Sequence, residues 1–327
     1  MTDRRSVVIT GASAGVGRAI ALRFARAGAR LTLIARSPKG LESARQEIEA
    51  AGGEAIVVSL DVADAEAVER AAITVADHWG GIDVWINNAM ATMFAPLSAM
   101  LAAEYKRITE VTYLGYVHGT MAALRQMRPR NAGTIIQIGS ALSHRAIPLQ
   151  SAYCGAKFAI RGFTEALRSE LIHDHLDIRL VMVQLPAVNT PQFDWARNVF
   201  PNRPQPVPPI FAPEAIAEAV HRASHRAPRD LWLGFPTLKA IVGGVLAPGL
   251  IDRYLARAGY EGQFTKDTQP PGHADNLFKA SDLPHSTHGR FSQQSRGRVI
   301  AISPAWLRWL AIMLLIILAS VALAVLR

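Results

Sequence analysis

Short apolar runs alternate with segments of helical length along most of the chain, and this pattern is the strongest constraint on its fold. The runs lie at residues 6–10, 31–35, 55–60, 82–87, 134–138, 178–184 and 231–233. Helical segments lie between them, at residues 16–27, 41–51, 65–78, 102–127, 152–173 and 213–227. Continuous apolar runs, unlike alternating ones, are typical of strands buried on both faces. The sequence therefore predicts an α/β fold with a doubly wound parallel sheet of the Rossmann type.

Composition changes along the chain and predicts three regions. Residues 201–213 contain six prolines and are expected to form an extended loop. Residues 263–304 are polar and rich in Gly, Pro, Ser and His, which is typical of a flexible linker. We therefore expect a catalytic domain over 1–262, a linker over 263–304 and a separate segment over 305–327. A chain ending near Gly262 is expected to fold and to stay active.

The last segment has the composition of a membrane span. Every residue from Trp309 to Leu326 is apolar or small except Ser320. At 1.5 Å per residue it covers about 27 Å, close to the hydrocarbon thickness of about 30 Å. A buried core helix is the alternative, but the segment has no amphipathic stripe. The sequence predicts a transmembrane helix over 305–327, with membrane lipid as a partner.

Charge adds two expectations. The net charge is +9, but the basic residues are scattered and form no nucleic-acid-binding patch. We interpret them as a solvated surface, with attraction to anionic lipid as the alternative. Arginines are concentrated before the predicted span, and this places the catalytic domain on the cytoplasmic side. No apolar segment of signal-peptide length precedes the first strand, which agrees with that side. A homo-oligomer is compatible with the sequence.

A glycine-rich turn joins the first strand to the first helix. It reads Thr-Gly-Ala-Ser-Ala-Gly-Val-Gly over residues 10–17. Glycines allow a tight turn and let backbone amides approach a pyrophosphate at the positive end of a helix. The turn lies between a strand and a helix, as a dinucleotide site requires. The predicted cofactor contacts here are Gly11, Ser13, Gly15, Val16 and Gly17.

The second strand ends in Ala35-Arg36-Ser37 and carries no acidic residue there. An acidic residue at this point binds the ribose 2′-hydroxyl of NAD, whereas an arginine accommodates the 2′-phosphate of NADP. Arg36 is alternatively a solvated residue at a helix start. Since the carboxylate is missing, we expect NADP(H).

Tyr153 and Lys157 lie four residues apart in a predicted helix, and Ser140 precedes Tyr153 by thirteen residues. Residues at this spacing share one helix face. An ammonium beside the phenol is expected to lower the tyrosine pKa. A serine at the end of a neighbouring strand can bind the substrate oxygen. We expect Tyr153 to act as the acid or base.

These motifs resemble the short-chain dehydrogenase/reductase family over residues 5–240. The resemblance implies hydride transfer between NADP(H) and a carbonyl or secondary alcohol, with Lys157 also holding the nicotinamide ribose. It implies that Asp61 and Val62 meet the adenine and that Thr190 meets the nicotinamide carboxamide. Asn88 lies in the family's Asn-Asn-Ala-Gly segment, where Met90 replaces the glycine.

One departure concerns the catalytic set. Thr112 stands where the family usually has an asparagine that holds the lysine through a water. Its backbone carbonyl is expected to serve the proton relay instead. Because of this departure and Met90, an NADP-binding sensor or scaffold without turnover remains an alternative function. An epimerase or dehydratase is the other alternative, disfavoured by the glycine spacing.

Other residues carry weaker expectations. Cys154 follows the tyrosine by about 100° of helix turn, so we interpret it as inert packing. His273, His285 and His288 lack carboxylate or cysteine neighbours at useful spacing, and we predict no metal site. Phe193, Trp195 and Phe200 either line an apolar substrate pocket or pack their loop. The aromatic loop and the predicted anchor favour a hydrophobic small-molecule substrate.

Overall fold

The computed structural model describes residues 4–270, 273–305, 309, 312–313 and 316. Its strands are β1 Ser6–Thr10, β2 Arg30–Ala35, β3 Glu54–Ser59, β4 Val84–Asn87, β5 Met93–Phe94, β6 Gly133–Ser140, β7 Ile178–Leu185, β8 Arg197–Asn198, β9 Asn202–Pro204, β10 Ile210–Phe211, β11 Asp230–Leu233, β12 Phe264–Thr268, β13 Ser295–Arg296 and β14 Ala301–Ile302. Its α-helices are α1 Gly15–Ala25, α2 Pro38–Ala50, α3 Ala65–Trp79, α4 Ala102–Thr109, α5 Gly115–Met127, α6 Ser151–His173, α7 Gln192–Trp195, α8 Pro213–Arg226, α9 Gly234–Leu246 and α10 Pro248–Glu261.

The main sheet has the strand order β14-β11-β7-β6-β4-β1-β2-β3. All neighbouring pairs are parallel except β11 with β14. One apolar cluster joins the sheet to α1, α2 and α8, and a second joins its other face to α3, α5 and α6. Helices therefore cover both faces, and the predicted doubly wound α/β fold is confirmed. The strand order reverses between β1 and β4, where a crevice opens at the carboxyl ends of the strands.

The helix predicted over residues 102–127 is not continuous. A π-helical turn over Glu110–Leu114 separates α4 from α5. Such turns are frequent at functional sites because the extra residue changes which side chains point in one direction. The turn contains Thr112, and its geometry sets the direction in which the Thr112 side chain points. The helices α9 and α10 follow β11 and were not among the predicted elements.

The segment predicted as a flexible linker packs against the domain. Strand β12 pairs with β9, β13 with β10, and β14 extends the main sheet beside β11. Leu277 and Phe291 are buried. The polar composition of this segment did not indicate that it packs on the domain. Two buried apolar side chains and backbone pairing with distant strands hold it there.

Among the described residues, no helix has the length and apolar character that a membrane crossing needs. The predicted span from Trp309 to Leu326 lies almost wholly outside the described residues.

Candidate active site

The glycine-rich turn has a backbone that other residues would not adopt easily. Gly11 and Gly15 have positive φ angles of 67° and 56°. A Cβ on Gly17 would lie 2.2 Å from the carbonyl oxygen of Gly11. The Asn88 side-chain amide donates to the carbonyls of Thr10 and Gly11 at 3.0 and 3.3 Å. Asn88 thus fastens the turn to the end of β4.

The glycine-rich loop places the N-terminal residues of α1 at the crevice. The residue before the helix, Ala14, has no side chain that caps it. Backbone amides at such a helix end, together with the helix dipole, bind anions. The amide of Gly15 already donates to the carbonyl of Ser286 at 2.9 Å. The amides that follow fit a phosphate, so this end of the crevice suits the pyrophosphate of a dinucleotide.

One cavity of about 490 Å³ runs along the crevice. It is lined by nearly all the predicted site residues, namely Gly11, Ser13, Gly15, Val16, Arg36, Asp61, Val62, Asn88, Ser140, Tyr153, Lys157 and Thr190. Gly17 and Thr112 are not part of its wall. Gly17 lies against the turn backbone, where its lack of a side chain permits the close approach to Gly11.

Ser140, Tyr153 and Lys157 meet where β6 ends and α6 begins. The Ser140 hydroxyl accepts from the amide of Leu142 at 3.1 Å. The Lys157 ammonium lies 5.6 Å from the centroid of the Tyr153 ring. Burial raises the pKa of Tyr153, and a hydrogen bond with Ser140 opposes that shift. The tyrosine pKa is therefore raised and not lowered as expected, because burial is the largest of its causes.

Lys157 is itself fully enclosed. Burial lowers its pKa from 10.5 to about 7 and so disfavours the ammonium form. Its Nζ donates to the carbonyl of Ile138 at 2.7 Å and to the Tyr116 hydroxyl at 3.1 Å. Sequence reasoning missed Tyr116. The available signal was its position four residues after Thr112 in the same predicted helix.

The Thr112 hydroxyl is engaged away from the lysine, whereas the role predicted for its backbone carbonyl stays a prediction. Its buried hydroxyl accepts from the amide of Ala91 and donates to the carbonyl of Ala91, both at 2.9 Å. The side chain thus ties the π-helical turn to the loop after β4. The structure assigns Thr112 a structural contact, and the group that touches Lys157 is one helical turn further on.

Two arginines lie at the end of the cavity near β2, where Arg36 lines the wall and Arg107 lies behind it. Arg36 donates to the carbonyls of Asn276 at 2.5 Å and Leu277 at 3.3 Å. Arg107 forms an ion pair with Asp61 and donates to the carbonyl of Leu277. Burial lowers the pKa of Arg36, whereas Asp61 opposes that shift. Because Asp61 offsets the charge of Arg107, these three side chains leave one net positive charge where the cofactor's adenosine end is expected.

Residues 275–292, which we term the C-terminal strap, form one wall of the cavity. The strap contributes Ala280, Ser281 and His285 to the lining. Near its end the amide of Phe291 donates to Asn189 Oδ1 at 3.0 Å. A Cβ on Gly289 would lie 2.4 Å from the carbonyl oxygen of Thr190. The strap thus extends from Arg36 past α1 to the Thr190 loop, and it was not predicted.

The rest of the wall, beyond Ser140 and Tyr153, is mainly apolar. It includes Phe94, Phe193, Trp195, Val207, Tyr254 and Leu255. Of the three aromatic residues considered from the sequence, Phe193 and Trp195 line the cavity. Phe200 does not, since its ring packs on Phe264 at 4.8 Å. Among the described residues of the wall, the charged side chains are Arg36, Asp61 and Lys157.

The remaining candidates have local partners. Cys154 is buried beside the carbonyl of Ile147, and burial raises its pKa to about 11. Such a thiol has little nucleophilic thiolate at neutral pH. His288 pairs with Glu214 at 2.8 Å, and the ring of His273 lies 2.5 Å from the carbonyl of Asp194.

A Rossmann-type sheet that presents a glycine turn, a half-buried tyrosine beside a buried lysine, and a serine to one cavity is the arrangement of a nicotinamide-dependent oxidoreductase. The residues present fit such a cofactor, because the helix end and the glycine turn provide a cradle that side chains would fill. The structure thus defines the class of enzyme.

Comparison with known proteins gives the family. Residues 5–198 match the short chain dehydrogenase family, and the chain belongs to it. It is 32% identical over 276 residues to the uncharacterized oxidoreductase YxnA of Bacillus subtilis, covering 84% of this chain and 78% of that protein. It is 36% identical over 188 residues to the putative oxidoreductase SadH of Mycobacterium tuberculosis, covering 58% of this chain and 68% of that protein.

Solved structures agree. Levodione reductase superposes with a TM-score of 0.56 at 30% identity, covering 59% of this chain and 75% of that one. A putative short-chain alcohol dehydrogenase from Sinorhizobium meliloti gives 0.52 at 31% identity, covering 57% and 73%. The protein is an oxidoreductase of this family and uses a nicotinamide cofactor, NAD or NADP.

Proposed function

We propose that the protein catalyses reversible hydride transfer between NADP(H) and the carbonyl or secondary alcohol carbon of an uncharged, hydrophobic small molecule. The observation that carries this proposal is that Ser140, Tyr153 and Lys157 share one cavity with the glycine turn and Arg36. When bound, the nicotinamide supplies or accepts the hydride.

The chain's own residues handle the proton and the substrate oxygen. Ser140 orients that oxygen by hydrogen bonding. Tyr153 donates a proton to it during reduction and removes the proton during oxidation. Lys157 stabilises the phenolate form of the tyrosine by its charge and holds the nicotinamide ribose. Lys157 is buried and the other two groups are half-buried, and this partial exclusion of water strengthens their mutual interactions.

The preference for NADP(H) is supported by Arg36. It lies at the end of β2, where no acidic residue is present to bind a ribose 2′-hydroxyl. The nearby carboxylate of Asp61 is paired with Arg107, so its charge is neutralised. A guanidinium in this position is suited to a phosphate.

The hydrophobic character of the substrate is supported by the wall. In the described part of the chain, no charged side chain lines the cavity beyond the catalytic group and the adenosine end. A carboxylate or ammonium on the substrate would lose its hydration without gaining a partner. Aromatic and aliphatic side chains such as Phe193, Trp195 and Leu255 favour an apolar molecule.

The test is NADPH oxidation by the full-length protein with a panel of apolar ketones and aldehydes. Tyr153→Phe keeps the ring and removes the proton donor, so turnover should fall by about 10²-fold or more while NADPH still binds. Near-normal turnover in that variant would show that the proton comes from another group. A panel of charged keto acids is the matched control, and these should react poorly.

We further propose that residues 305–327 anchor the protein in a membrane with the catalytic domain on the cytoplasmic side. The apolar composition of Trp309–Leu326 supports this, since such a segment satisfies its backbone in lipid only as a helix. Full-length protein should sediment with membranes and resist washing with high salt and carbonate. Recovery in the soluble fraction would contradict the anchor without affecting the proposed reaction.

A further inference from the structure

Tyr116 lies against the catalytic lysine, on the side away from the cavity. Its hydroxyl donates to the carbonyl of Ile138 at 2.8 Å and accepts from Lys157 Nζ at 3.1 Å. The lysine donates to the same carbonyl at 2.7 Å. Three groups from α5, α6 and β6 therefore form a closed triangle of hydrogen bonds, and Nζ lies 4.7 Å from the centroid of the Tyr116 ring.

The direction of these hydrogen bonds is fixed by burial. Tyr116 is almost fully buried, and this raises the pKa of its phenol well above the ordinary value. The phenol therefore keeps its proton and gives it to Ile138, which leaves the oxygen lone pairs for Lys157. An ammonium has three N–H donors. Two are used by Ile138 and Tyr116, and the third remains for the cavity that Lys157 lines.

The side chain of Thr112, within the π-helical turn, makes a different contact. Thr112 uses its hydroxyl on both backbone groups of Ala91. Tyr116, just beyond the turn, is long enough to reach Nζ. Thr112, in the π-helical turn, therefore contacts the loop after β4, whereas Tyr116, at the start of α5, contacts the lysine.

We propose that Tyr116 is a positioning residue for catalysis: its phenol oxygen holds the Lys157 ammonium and keeps one N–H directed into the cavity. This inference rests on the proposed function and extends it by a group outside the Ser–Tyr–Lys set. The contact also stabilises the charged form of a lysine whose burial favours the neutral form.

The surroundings of Lys157 limit which other groups can influence its charge. Tyr116 faces it from α5, and Tyr153 faces it from its own helix. From β6 it meets the carbonyl of Ile138. Burial is the cause of its lowered pKa, and no carboxylate in the described chain offsets that shift. Loss of the Tyr116 oxygen therefore removes one of two acceptors that stabilise the ammonium.

The test is Tyr116→Phe, with Tyr113→Phe as the matched control. Tyr113 packs in the same apolar cluster and on Phe163, so both variants lose one hydroxyl from similar rings. In protein labelled with ¹³C at lysine Cε, the Lys157 signal is assigned by its loss in Lys157→Met. In Tyr116→Phe its pKa should fall by about one unit, whereas the control should leave it unchanged.

The kinetic readout is the pH profile of alcohol oxidation with NADP. A less stable Lys157 ammonium stabilises the phenolate of Tyr153 less. The acidic limb of the kcat/KM profile should therefore shift to higher pH by about as much as the lysine pKa falls. At pH 7 kcat should fall about tenfold, with little change in the KM for NADP. A purely structural role would lower stability and leave both the lysine titration and the limb in place, and that result would overturn the proposal.

The two proposals fail separately. If the wild-type protein oxidises no alcohol and reduces no ketone, the proposed function is wrong, yet the lysine titration still decides the role of Tyr116. If turnover is normal but the titration and the limb do not move in Tyr116→Phe, the positioning role is wrong and the proposed function stands.

Discussion

The carbonyl of Ser286 accepts a hydrogen bond of 2.9 Å from the amide of Gly15, and this joins the C-terminal strap to the first turn of α1. Further along, Gly289 packs on the carbonyl of Thr190. At the other end of the strap, Asn276 and Leu277 accept from Arg36. The strap therefore contacts the expected sites of the pyrophosphate, the nicotinamide and the 2′-phosphate.

Gly289→Ala is expected to loosen the strap and weaken cofactor binding. The added Cβ would lie 2.4 Å from the carbonyl oxygen of Thr190, a rigid backbone group, so the strap has to move away. We expect the Kd for NADPH, measured by fluorescence titration, to rise several-fold. Gly297→Ala is the control, because its Cβ would meet nothing within 4 Å. Equal Kd values in both variants would show that the strap does not support the cofactor.

Arg36 is expected to determine the cofactor preference. A charge-assisted contact with a phosphate contributes about 1.5–3 kcal/mol, so NADPH should bind at least about tenfold more tightly than NADH. Arg36→Asp should erase or reverse the preference in binding measurements. Lys39→Asp changes the charge equally on an exposed residue of the following helix turn. A similar effect of both variants would indicate a general field rather than a contact.

The sheet and most helices could be predicted because their signals are local. Strands β1, β2 and β3 each contain a short apolar run, and α6 begins within one residue of its predicted start. The glycine turn, Tyr153 and Lys157 were found for the same reason, since each motif lies within a few residues. Their common cavity follows from the strand order, which brings the ends of β1, β4 and β6 together.

The rest depends on contacts between distant residues. Nothing near Leu277 or Phe291 in the sequence indicates that these side chains are buried, because their partners lie in other parts of the chain. Tyr116 was missed because its partners, Ile138 and Lys157, lie far from it in the sequence. The π-helical turn at Glu110–Leu114 and the backbone contacts of Ala91 decide which side chain reaches the lysine. Such details follow from packing and not from periodicity.

Thr112→Ala is expected to act on stability. Its hydroxyl satisfies the buried amide and carbonyl of Ala91, and leaving buried polar groups unpaired costs about 1–3 kcal/mol each. The free energy of unfolding in urea should therefore fall by about 2–6 kcal/mol. Thr112→Ser keeps the hydroxyl and should lose much less. Equal losses in the two variants would mean that the methyl group, and not the hydrogen bonds, is what matters.

Lys157→Met is expected to stabilise the protein at neutral pH while abolishing catalysis. Burial lowers the lysine pKa from 10.5 to about 7 on folding. Below pH 7 the folded protein bears the full free-energy cost of burying a charged lysine. This cost disappears as the pH rises towards 10.5, because the unfolded chain then loses the proton as well. The Ile138 carbonyl keeps its bond from Tyr116.

The difference in unfolding free energy should be on the order of a few kcal/mol at pH 7 and should shrink by pH 10. Lys39→Met, at an exposed lysine, should show no such trend. A Lys157→Met effect that stays constant with pH would contradict the lowered pKa.

Truncation tests whether the strap is part of the domain. A chain ending at Gly262 loses β12, β13 and β14 together with Leu277 and Phe291. Burial of such side chains contributes about 1.5–3 kcal/mol each, and Arg36 also loses its two carbonyl partners. This chain should unfold at a lower temperature and bind NADPH poorly. A chain ending at Ala305 keeps all of these contacts and should match the full-length protein in both measurements. If the chain ending at Gly262 were equally stable and bound NADPH equally well, the strap would be dispensable and residues 263–304 would behave as the flexible linker that their composition indicates.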